Sequence, residues 1–212
     1  MAKSSPHPFP VLQVLAPGLL SSEVLIGLEK ALVKLEIAYT KVEQRFLLGR
    51  ELELFERNGL RQFCTVRSHD LAILPAQFSA DALQVLAMDM DSTLINIECI
   101  DEIADFAGKK TAVAEITAAT MRGEIVNFSE SLSKRVALLA GVPQTALHSV
   151  YEQRLQLNPG AELLIAGAHE RHMHTLLVSG GFTFFTGRMQ ERLHLSEAHS
   201  NELEIVDGML TG

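Results

Sequence analysis

The sequence predicts an α/β protein in which a doubly wound, mainly parallel sheet is interrupted by a helical insertion and preceded by a small α+β unit. Apolar, strand-like runs occur at residues 84 to 90 and 173 to 181, and five helix-like segments lie between them. A further helix and strand follow the second run. The first 80 residues instead mix one amphipathic helix pattern with several strand patterns, which indicates a separate unit.

Composition limits the classes of function. Of 212 residues, 47% are hydrophobic, enough to fill a core, and the formal charge is −8 with no basic patch. A nucleic-acid partner or an anionic membrane surface is therefore not expected. Two cysteines, Cys64 and Cys99, predict neither a disulfide scaffold nor a zinc site, and they favour a reduced, cytoplasmic setting. The first ten residues contain prolines in place of an unbroken apolar segment, so no secretory signal is predicted. No apolar run approaches the length of about 18 residues that a membrane helix needs, so no membrane span is predicted.

The first unit begins with a predicted strand at residues 9 to 16. A helix is predicted over residues 21 to 36 with Ser21 or Ser22 as its N-cap. Two segments rich in β-branched or aromatic residues are predicted as strands: residues 38 to 49 and 60 to 68. Residues 74 to 82, with a proline and small polar residues, are a candidate linker.

The second unit opens with QVLAMDM, residues 84 to 90, a continuous apolar strand of the kind that is buried on both faces of a parallel sheet. Four helices are predicted next: residues 97 to 108, 109 to 121, 127 to 141 and 143 to 155. Gly108 suits the left-handed position after a helix, and Asn127 with Glu130 resembles a capping box. Four successive helices indicate a bundle.

The remaining elements complete the sheet. They are a helix at residues 159 to 172, a strand at 173 to 181, a helix at 182 to 193, a strand at 201 to 206 and a hairpin turn at Asp207 and Gly208.

Asp89 and Asp91 follow the first apolar strand, at the sheet edge where ligands bind in open α/β proteins. Two carboxylates so close together repel each other, which favours a shared proton or a bound cation, and oxygen ligands suit Mg²⁺ better than zinc. The alternative is that the pair only caps the next turn or helix.

The segment DMDSTL resembles the D-x-D-x-T motif of the haloacid dehalogenase (HAD) superfamily. From about residue 85 onward, the blocks MRGEIVNFSESLSKRVALL, LNPGAELL, SGGFTFF and NELEIVDGMLTG are similar to the phosphoserine phosphatase family. The resemblance implies a Rossmann-like HAD core over residues 81 to 212, with a helical cap inserted at about residues 98 to 158.

The resemblance also implies roles for the aspartates. Asp89 would be the nucleophile that forms an aspartyl-phosphate, and Asp91 would be the general acid and base. Mg²⁺ would be bound by the Asp89 carboxylate and the Asp91 backbone carbonyl. Ser179 and Gly180 match the second motif of the family, which would bind a phosphate oxygen, although an isolated Ser-Gly pair is more often an ordinary turn.

Cap residues would give specificity. By resemblance, Glu98 would hold the substrate amine and Arg135 would bind its carboxylate through a bidentate fork. Met121 and Phe128 match positions that cover the substrate. From the residues alone, Glu98 could be a first-turn acid favoured by the helix dipole, Arg135 part of a solvated face, and the other two core residues.

The implied function is Mg²⁺-dependent hydrolysis of O-phosphoserine, the last step of serine biosynthesis. Two alternatives stay open: a HAD phosphatase for another small phosphomonoester, and a noncatalytic amino-acid-binding or regulatory protein. Members of the family continue past the equivalent of Gly212 with a lysine motif and a G-D-G-x-N-D segment, so a C-terminally truncated chain of low activity is expected. Residues 1 to 80 resemble, more weakly, an ACT-like domain that binds serine or forms a homodimer.

Overall fold

A computed structural model describes residues 10–15, 21–76 and 78–212, except for the side chains of Ala80 and Met121. The chain divides into two compact units, Met1–Ala82 and Leu83–Gly212. Each unit has an apolar core of its own. Within the described ranges, no helix is both long enough and apolar enough to cross a bilayer.

The N-terminal unit is a four-stranded antiparallel sheet with two helices. Its elements are β1 (Val11–Leu15), α1 (Ser22–Lys34), β2 (Tyr39–Val42), β3 (Arg45–Leu48), α2 (Leu54–Thr65) and β4 (Asp70–Leu74). The strand order is β2-β3-β1-β4, the ferredoxin-like arrangement of a split βαβ unit. The α1 residues Val24, Leu28 and Leu32 are buried four residues apart, so one stripe of the helix forms the core.

Predictions for this unit are only partly confirmed. Ser21 is the N-cap of α1, and its Oγ accepts a hydrogen bond from the Glu23 amide at 3.2 Å. The predicted strand at residues 9 to 16 is present as β1, and its outermost residues lie outside the described ranges. The predicted strand at residues 38 to 49 is a hairpin, because Glu43 adopts a left-handed φ of 53° and turns the chain between β2 and β3.

The strand predicted at residues 60 to 68 is wrong. Most of that segment belongs to α2, in which Glu56, Leu60 and Cys64 are buried at helical spacing. The β-branched Thr65 and Val66 at its end favoured the incorrect interpretation, because propensity is a weaker determinant than packing. The fourth strand of the sheet, β4, was not predicted.

The C-terminal unit is built on a parallel sheet of order β5-β6-β7. Its elements are β5 (Val85–Met88), α3 (Cys99–Phe106), α4 (Lys110–Met121), α5 (Phe128–Ala137), α6 (Thr145–Gln153), α7 (Ala161–Glu170), β6 (His174–Phe182), α8 (Thr183–Leu193), β7 (Glu197–Asn201), β8 (Ile205–Val206) and β9 (Met209–Leu210). Helices α7 and α8 pack against the sheet, and α3 packs against both α4 and α6. The predicted order of strand, five helices, strand, helix and strand is confirmed.

The prediction that β5 is buried on both faces is contradicted. Val85 is 54% exposed and Ala87 is also exposed, whereas Leu86 and Met88 between them are partly buried. In the described part of the chain β5 pairs with β6 alone, and exposure also alternates along most of β6. The apolar run therefore has one solvent-facing side.

Two segments of chain connect the four-helix insertion to the sheet, and they are bonded to each other. The Asn96 amide donates to the Gln156 carbonyl at 3.0 Å, and the Gln156 amide donates to Asn96 Oδ1 at 2.8 Å. The Asn158 side chain donates to the carbonyls of Thr93 and Ile95. The insertion α3 to α6 thus leaves and rejoins the sheet at one point.

Local turn chemistry in this unit is mostly as predicted. Gly108 has a φ of 66°, and Asp207 and Gly208 have φ values of 50° and 76° in the turn between β8 and β9. Asn127 Oδ1 caps α5 by accepting from the Ser129 amide at 2.8 Å, but the Glu130 carboxylate bonds to Lys134 instead of completing a capping box. The strand predicted at 201 to 206 is shifted, because β7 ends where that segment begins.

Candidate active site

A cavity of about 210 Å³ lies at the edge of the parallel sheet where β5 and β6 end. Because the two strands are parallel, the residues at their carboxyl ends are brought side by side. The lining residues come from this edge and from α3 and α5 of the insertion: Asp89, Asp91, Glu98, Ile100, Phe128, Leu132, Arg135, Ser179, Gly180, Gly181 and Phe182. The cavity contains three carboxylates and one guanidinium.

Asp89 is the first residue after β5. Its backbone is extended, and its Oδ1 accepts a hydrogen bond from the Met90 amide at 2.7 Å. The side chain is exposed to the cavity. One carboxylate oxygen is thus held by the backbone while the other can meet a ligand, which is the geometry that a nucleophile or a metal ligand requires.

Asp91 is largely buried. Its Oδ2 accepts from the Cys99 amide at 3.4 Å, whereas its buried Oδ1 has no hydrogen-bond partner among the described residues. Burial raises the pKa of Asp91 to about 6, opposed by hydrogen bonding to Cys99 and reinforced by the negative charges of Glu98 and Asp89. A carboxyl group with a pKa near neutrality can both donate and accept a proton.

Glu98 is the N-cap residue of α3, yet its side chain makes no capping hydrogen bond. The first amide of the helix, that of Cys99, is bonded to Asp91 instead. The Glu98 carboxylate accepts a hydrogen bond from Ser92 Oγ at 2.7 Å and lines the cavity. Its placement is therefore not explained by capping of the helix.

Arg135 reaches the cavity from α5. Its Nε donates to the Ser131 carbonyl at 3.4 Å, and within the described part of the chain its guanidinium forms no ion pair. Neighbouring Lys134 is bonded to Glu130 at 2.7 Å on the exposed side of the helix. The two adjacent basic residues thus differ, since Arg135 is half-buried beside the cavity and has donors free for an anion.

Small residues at the end of β6 leave the backbone open to close approach by a ligand. Ser179 Oγ accepts a hydrogen bond from the Gly181 amide at 2.9 Å, which leaves the hydroxyl hydrogen free to donate. A Cβ on Gly181 would lie 3.1 Å from Ser179 Oγ and 3.3 Å from Asp91 Oδ2, and a Cβ on Gly180 would lie 3.0 Å from the Phe128 ring. Only glycine gives this backbone access to the cavity.

Asn201 is a neighbour of the site that sequence reasoning missed. Its Nδ2 donates to the Gly180 carbonyl at 2.9 Å and to the Gly181 carbonyl at 3.4 Å, which ties the end of β7 to the end of β6. The only signal for it was an asparagine at the start of NELEIV. The apolar lining residues Ile100 and Leu132 were also missed, because they resemble ordinary core positions in the sequence.

Phe128 is 57% exposed and lines the cavity from the first turn of α5. Met121 is the last residue of α4, and its side chain lies outside the described part of the structure. The residues singled out from the sequence whose side chains are described therefore all line one cavity.

The donor set fits a small, hard cation. The Asp89 carboxylate supplies oxygen atoms of the kind that Mg²⁺ prefers, and the buried, unpartnered Asp91 Oδ1 adds negative charge beside it. Among the described residues, no three His, Cys, Asp or Glu side chains form a group that could hold a metal ion. A site with one or two carboxylates suits Mg²⁺, which usually keeps several waters and binds substrate phosphate.

Comparison with known proteins identifies the class. Residues 86–212 match the haloacid dehalogenase-like hydrolase family. The chain belongs to this family. The fold class predicted from the sequence, an α/β HAD core with a helical insertion, is confirmed.

Within the family, the resemblance to phosphoserine phosphatases is also confirmed. The phosphoserine phosphatase of Polaromonas sp. is 56% identical over 129 residues, which cover 61% of this chain and 55% of that protein. A HAD family hydrolase from Salmonella enterica serovar Typhi superimposes with a TM-score of 0.81 at 27% identity, covering 97% of this chain and 72% of that one. A phosphoserine phosphatase solved as a phospho-aspartyl intermediate analogue has a TM-score of 0.56 and 39% identity over 61% of each chain. The chain spans about half the length of the sequence relatives it matches.

Proposed function

We propose that this chain carries the catalytic centre of a phosphoserine phosphatase, which hydrolyses O-phosphoserine to serine and phosphate and so acts in the last step of serine biosynthesis. The observation that supports the proposal is a single cavity that contains groups suited to each part of the substrate. Asp89, Asp91 and Ser179 suit the phosphate, whereas Glu98 and Arg135 suit the ammonium and carboxylate of an amino acid.

The reaction begins at Asp89. Its free carboxylate oxygen attacks phosphorus, and the seryl oxygen departs with a proton from Asp91, which leaves an aspartyl-phosphate. Asp91 then removes a proton from the water that hydrolyses this intermediate. The raised pKa of Asp91, about 6, suits both steps. The related structure solved as a phospho-aspartyl analogue is consistent with the covalent route.

Binding of the phosphate would rely on the ends of β5 and β6. The Ser179 hydroxyl and the Gly180 amide donate to phosphate oxygens, and the N-terminus of α8 adds a favourable dipole. The Asp89 carboxylate and the Asp91 backbone carbonyl would hold Mg²⁺. When bound, the ion supplies the positive charge that lets a carboxylate approach a phosphate dianion.

Selectivity for phosphoserine would come from the insertion. Glu98 accepts hydrogen bonds from the substrate ammonium, and Arg135 forms a bidentate pair with the carboxylate. Phe128 and Met121 would cover the bound substrate. Because Arg135 forms no ion pair within the described chain, binding of a substrate carboxylate does not require an existing ion pair to break.

The test is release of phosphate from O-phosphoserine with and without Mg²⁺. We expect the wild-type chain to release phosphate slowly and only with the metal, and Asp89→Asn to abolish both turnover and acyl-phosphate formation. Asp105→Asn, at the exposed end of α3, is the matched control that keeps activity. A wild-type chain that binds phosphoserine without hydrolysing it would favour a noncatalytic binding protein, and turnover by Asp89→Asn would assign the nucleophile elsewhere.

Substrate identity is tested separately, because a HAD phosphatase for another small phosphomonoester would share the Asp89 chemistry. We expect Arg135→Ala to raise the KM for phosphoserine about 100-fold, since it removes a bidentate charged contact. A phosphomonoester without a carboxylate should be affected far less. An equal loss for both substrates would contradict the assignment of Arg135 to the substrate carboxylate.

For the N-terminal unit, we propose an ACT-like role in binding serine or in homodimer formation. The βαββαβ order of the unit supports this comparison. Calorimetric titration of the whole chain with serine in the absence of phosphoserine, repeated with Leu28→Ala in the core of this unit, tests serine binding. Sedimentation of the same two proteins tests dimer formation.

A further inference from the structure

Ser92 occupies a constrained position between the carboxylates of the cavity. It directly follows Asp91 and adopts a left-handed φ of 54°. Its amide donates to the Ile97 carbonyl at 3.1 Å, and its Oγ donates to Glu98 Oε1 at 2.7 Å. Ser92 thus joins the two ends of the loop of residues 92 to 98 through both its backbone amide and its side chain.

The Ser92 hydroxyl is the side-chain partner that sets the direction of the Glu98 carboxylate within the described part of the chain. Glu98 does not cap α3, because Asp91 Oδ2 accepts from the Cys99 amide in its place. Glu98 is otherwise exposed, and a free glutamate side chain would lose considerable rotamer entropy on binding a ligand. The hydrogen bond from Ser92 restricts that freedom before the ligand arrives.

We infer that Ser92 is a positioning residue for substrate selectivity, which holds the Glu98 carboxylate ready for the ammonium of an α-amino acid phosphate ester. The inference rests on the proposed function. One oxygen of Glu98 is bonded to Ser92, and the other is available to the ammonium. A preorganised acceptor binds the charged donor with less loss of entropy, so the contribution of Ser92 concerns the amine of the substrate and not its phosphate.

The experiment compares O-phosphoserine with its des-amino analogue, 3-phosphooxypropanoate. We expect Ser92→Ala to reduce the preference of the enzyme for phosphoserine about ten-fold, the size of one charge-assisted hydrogen bond. The loss should appear in KM more than in kcat, because an interaction made in both the ground and transition states is removed. Ser133→Ala, on the exposed face of α5, is the matched control.

A double-mutant cycle connects the effect to Glu98. In a Glu98→Ala background, Ser92→Ala should cause no further loss of preference, since the group that it positions is gone. Because φ at residue 92 is positive, Ser92→Gly relieves backbone strain while also removing the hydroxyl, and it replaces Ser92→Ala if that variant does not fold.

The outcomes separate the two proposals. A wild-type chain that hydrolyses neither ester overturns the proposed function and this inference with it. A wild-type chain that prefers phosphoserine, with the same preference in Ser92→Ala and Ser92→Gly, overturns the inference alone. An equal loss for both esters also overturns it, because Ser92 would then serve the phosphate chemistry.

Discussion

Asp91 carries a charge whose burial costs stability. One of its oxygens is buried without a partner among the described residues, and burial raises its pKa to about 6 from an ordinary value of 3.8. A group whose pKa is raised in the folded state adds stability below its unfolded pKa and loses it as the pH rises through the folded value. Asp91 thus favours the unfolded state at neutral pH, a cost consistent with a functional role.

We therefore predict that Asp91→Asn stabilises the C-terminal unit at pH 7. The gain is at most about 3 kcal/mol, from a shift of roughly two pKa units. It should shrink as the pH falls from about 6 to 4 and vanish below that. Urea unfolding in the presence of a chelator, at pH 7 and pH 3.5, measures it. A variant less stable than wild type at pH 7 would show that the Asp91 charge is compensated in the fold.

At the scale of the elements, α2 begins with a charged network. The Glu56 carboxylate is buried and accepts two hydrogen bonds from the Arg50 guanidinium, at 2.7 and 2.9 Å, and one from the Glu53 amide at 2.8 Å. The bond to Arg50 is the main cause that lowers the pKa of Glu56, with the Glu53 amide adding to it and burial opposing both. The network joins the loop before α2 to the first turn of the helix.

Glu56→Gln should weaken the N-terminal unit at pH 7 and reduce its sensitivity to acid. Because the folded pKa of Glu56 is lowered, its contribution is complete above the unfolded value, near 4.5, and is lost as the pH falls through the lower folded value. Urea midpoints at pH 7 and pH 3 should differ less in the variant than in wild type. Exposed Glu23 provides the control, Glu23→Gln, which should follow wild type; an unchanged pH response in Glu56→Gln would refute the assignment.

At the scale of the whole molecule, the described chain has two separate cores. Leu28 is completely buried in the N-terminal core, and Leu147 is completely buried in the C-terminal core. Cavities left by truncating such residues cost about 2–5 kcal/mol. The cost should be confined to the core that contains the cavity, since each core consists of residues from its own unit.

Hydrogen exchange followed by mass spectrometry of Leu28→Ala and Leu147→Ala tests this arrangement. We expect Leu28→Ala to accelerate exchange in β1 and α1 while the amides of β6 keep their protection, and Leu147→Ala to have the reverse effect. Faster exchange in both units from either substitution would mean that the two cores unfold together.

Features that depend on a few neighbouring residues could be predicted from the sequence, whereas features that depend on distant packing partners could not. Gly108 and the Asp207-Gly208 turn were identified correctly, and the N-cap of α1 is one of the two predicted serines, because capping and left-handed turns depend on a few neighbouring residues. Residues 60 to 68 were misassigned, because the buried stripe that stabilises α2 is defined by what packs against it. The same limit explains the incorrect burial predicted for β5.

The sequence by itself determined the two aspartates after an apolar strand, the order of elements around them and the resemblance that connects both to a phosphatase family. Tertiary structure alone decided that Glu98 bonds to Ser92 instead of capping its helix. It also decided that Glu130 pairs with Lys134 and not with Arg135, and that Asn201 donates to the carbonyls of Gly180 and Gly181. The reason is physical: a residue type limits what a side chain can bond to, but its partner is chosen by which atoms the folded chain brings within about 3 Å.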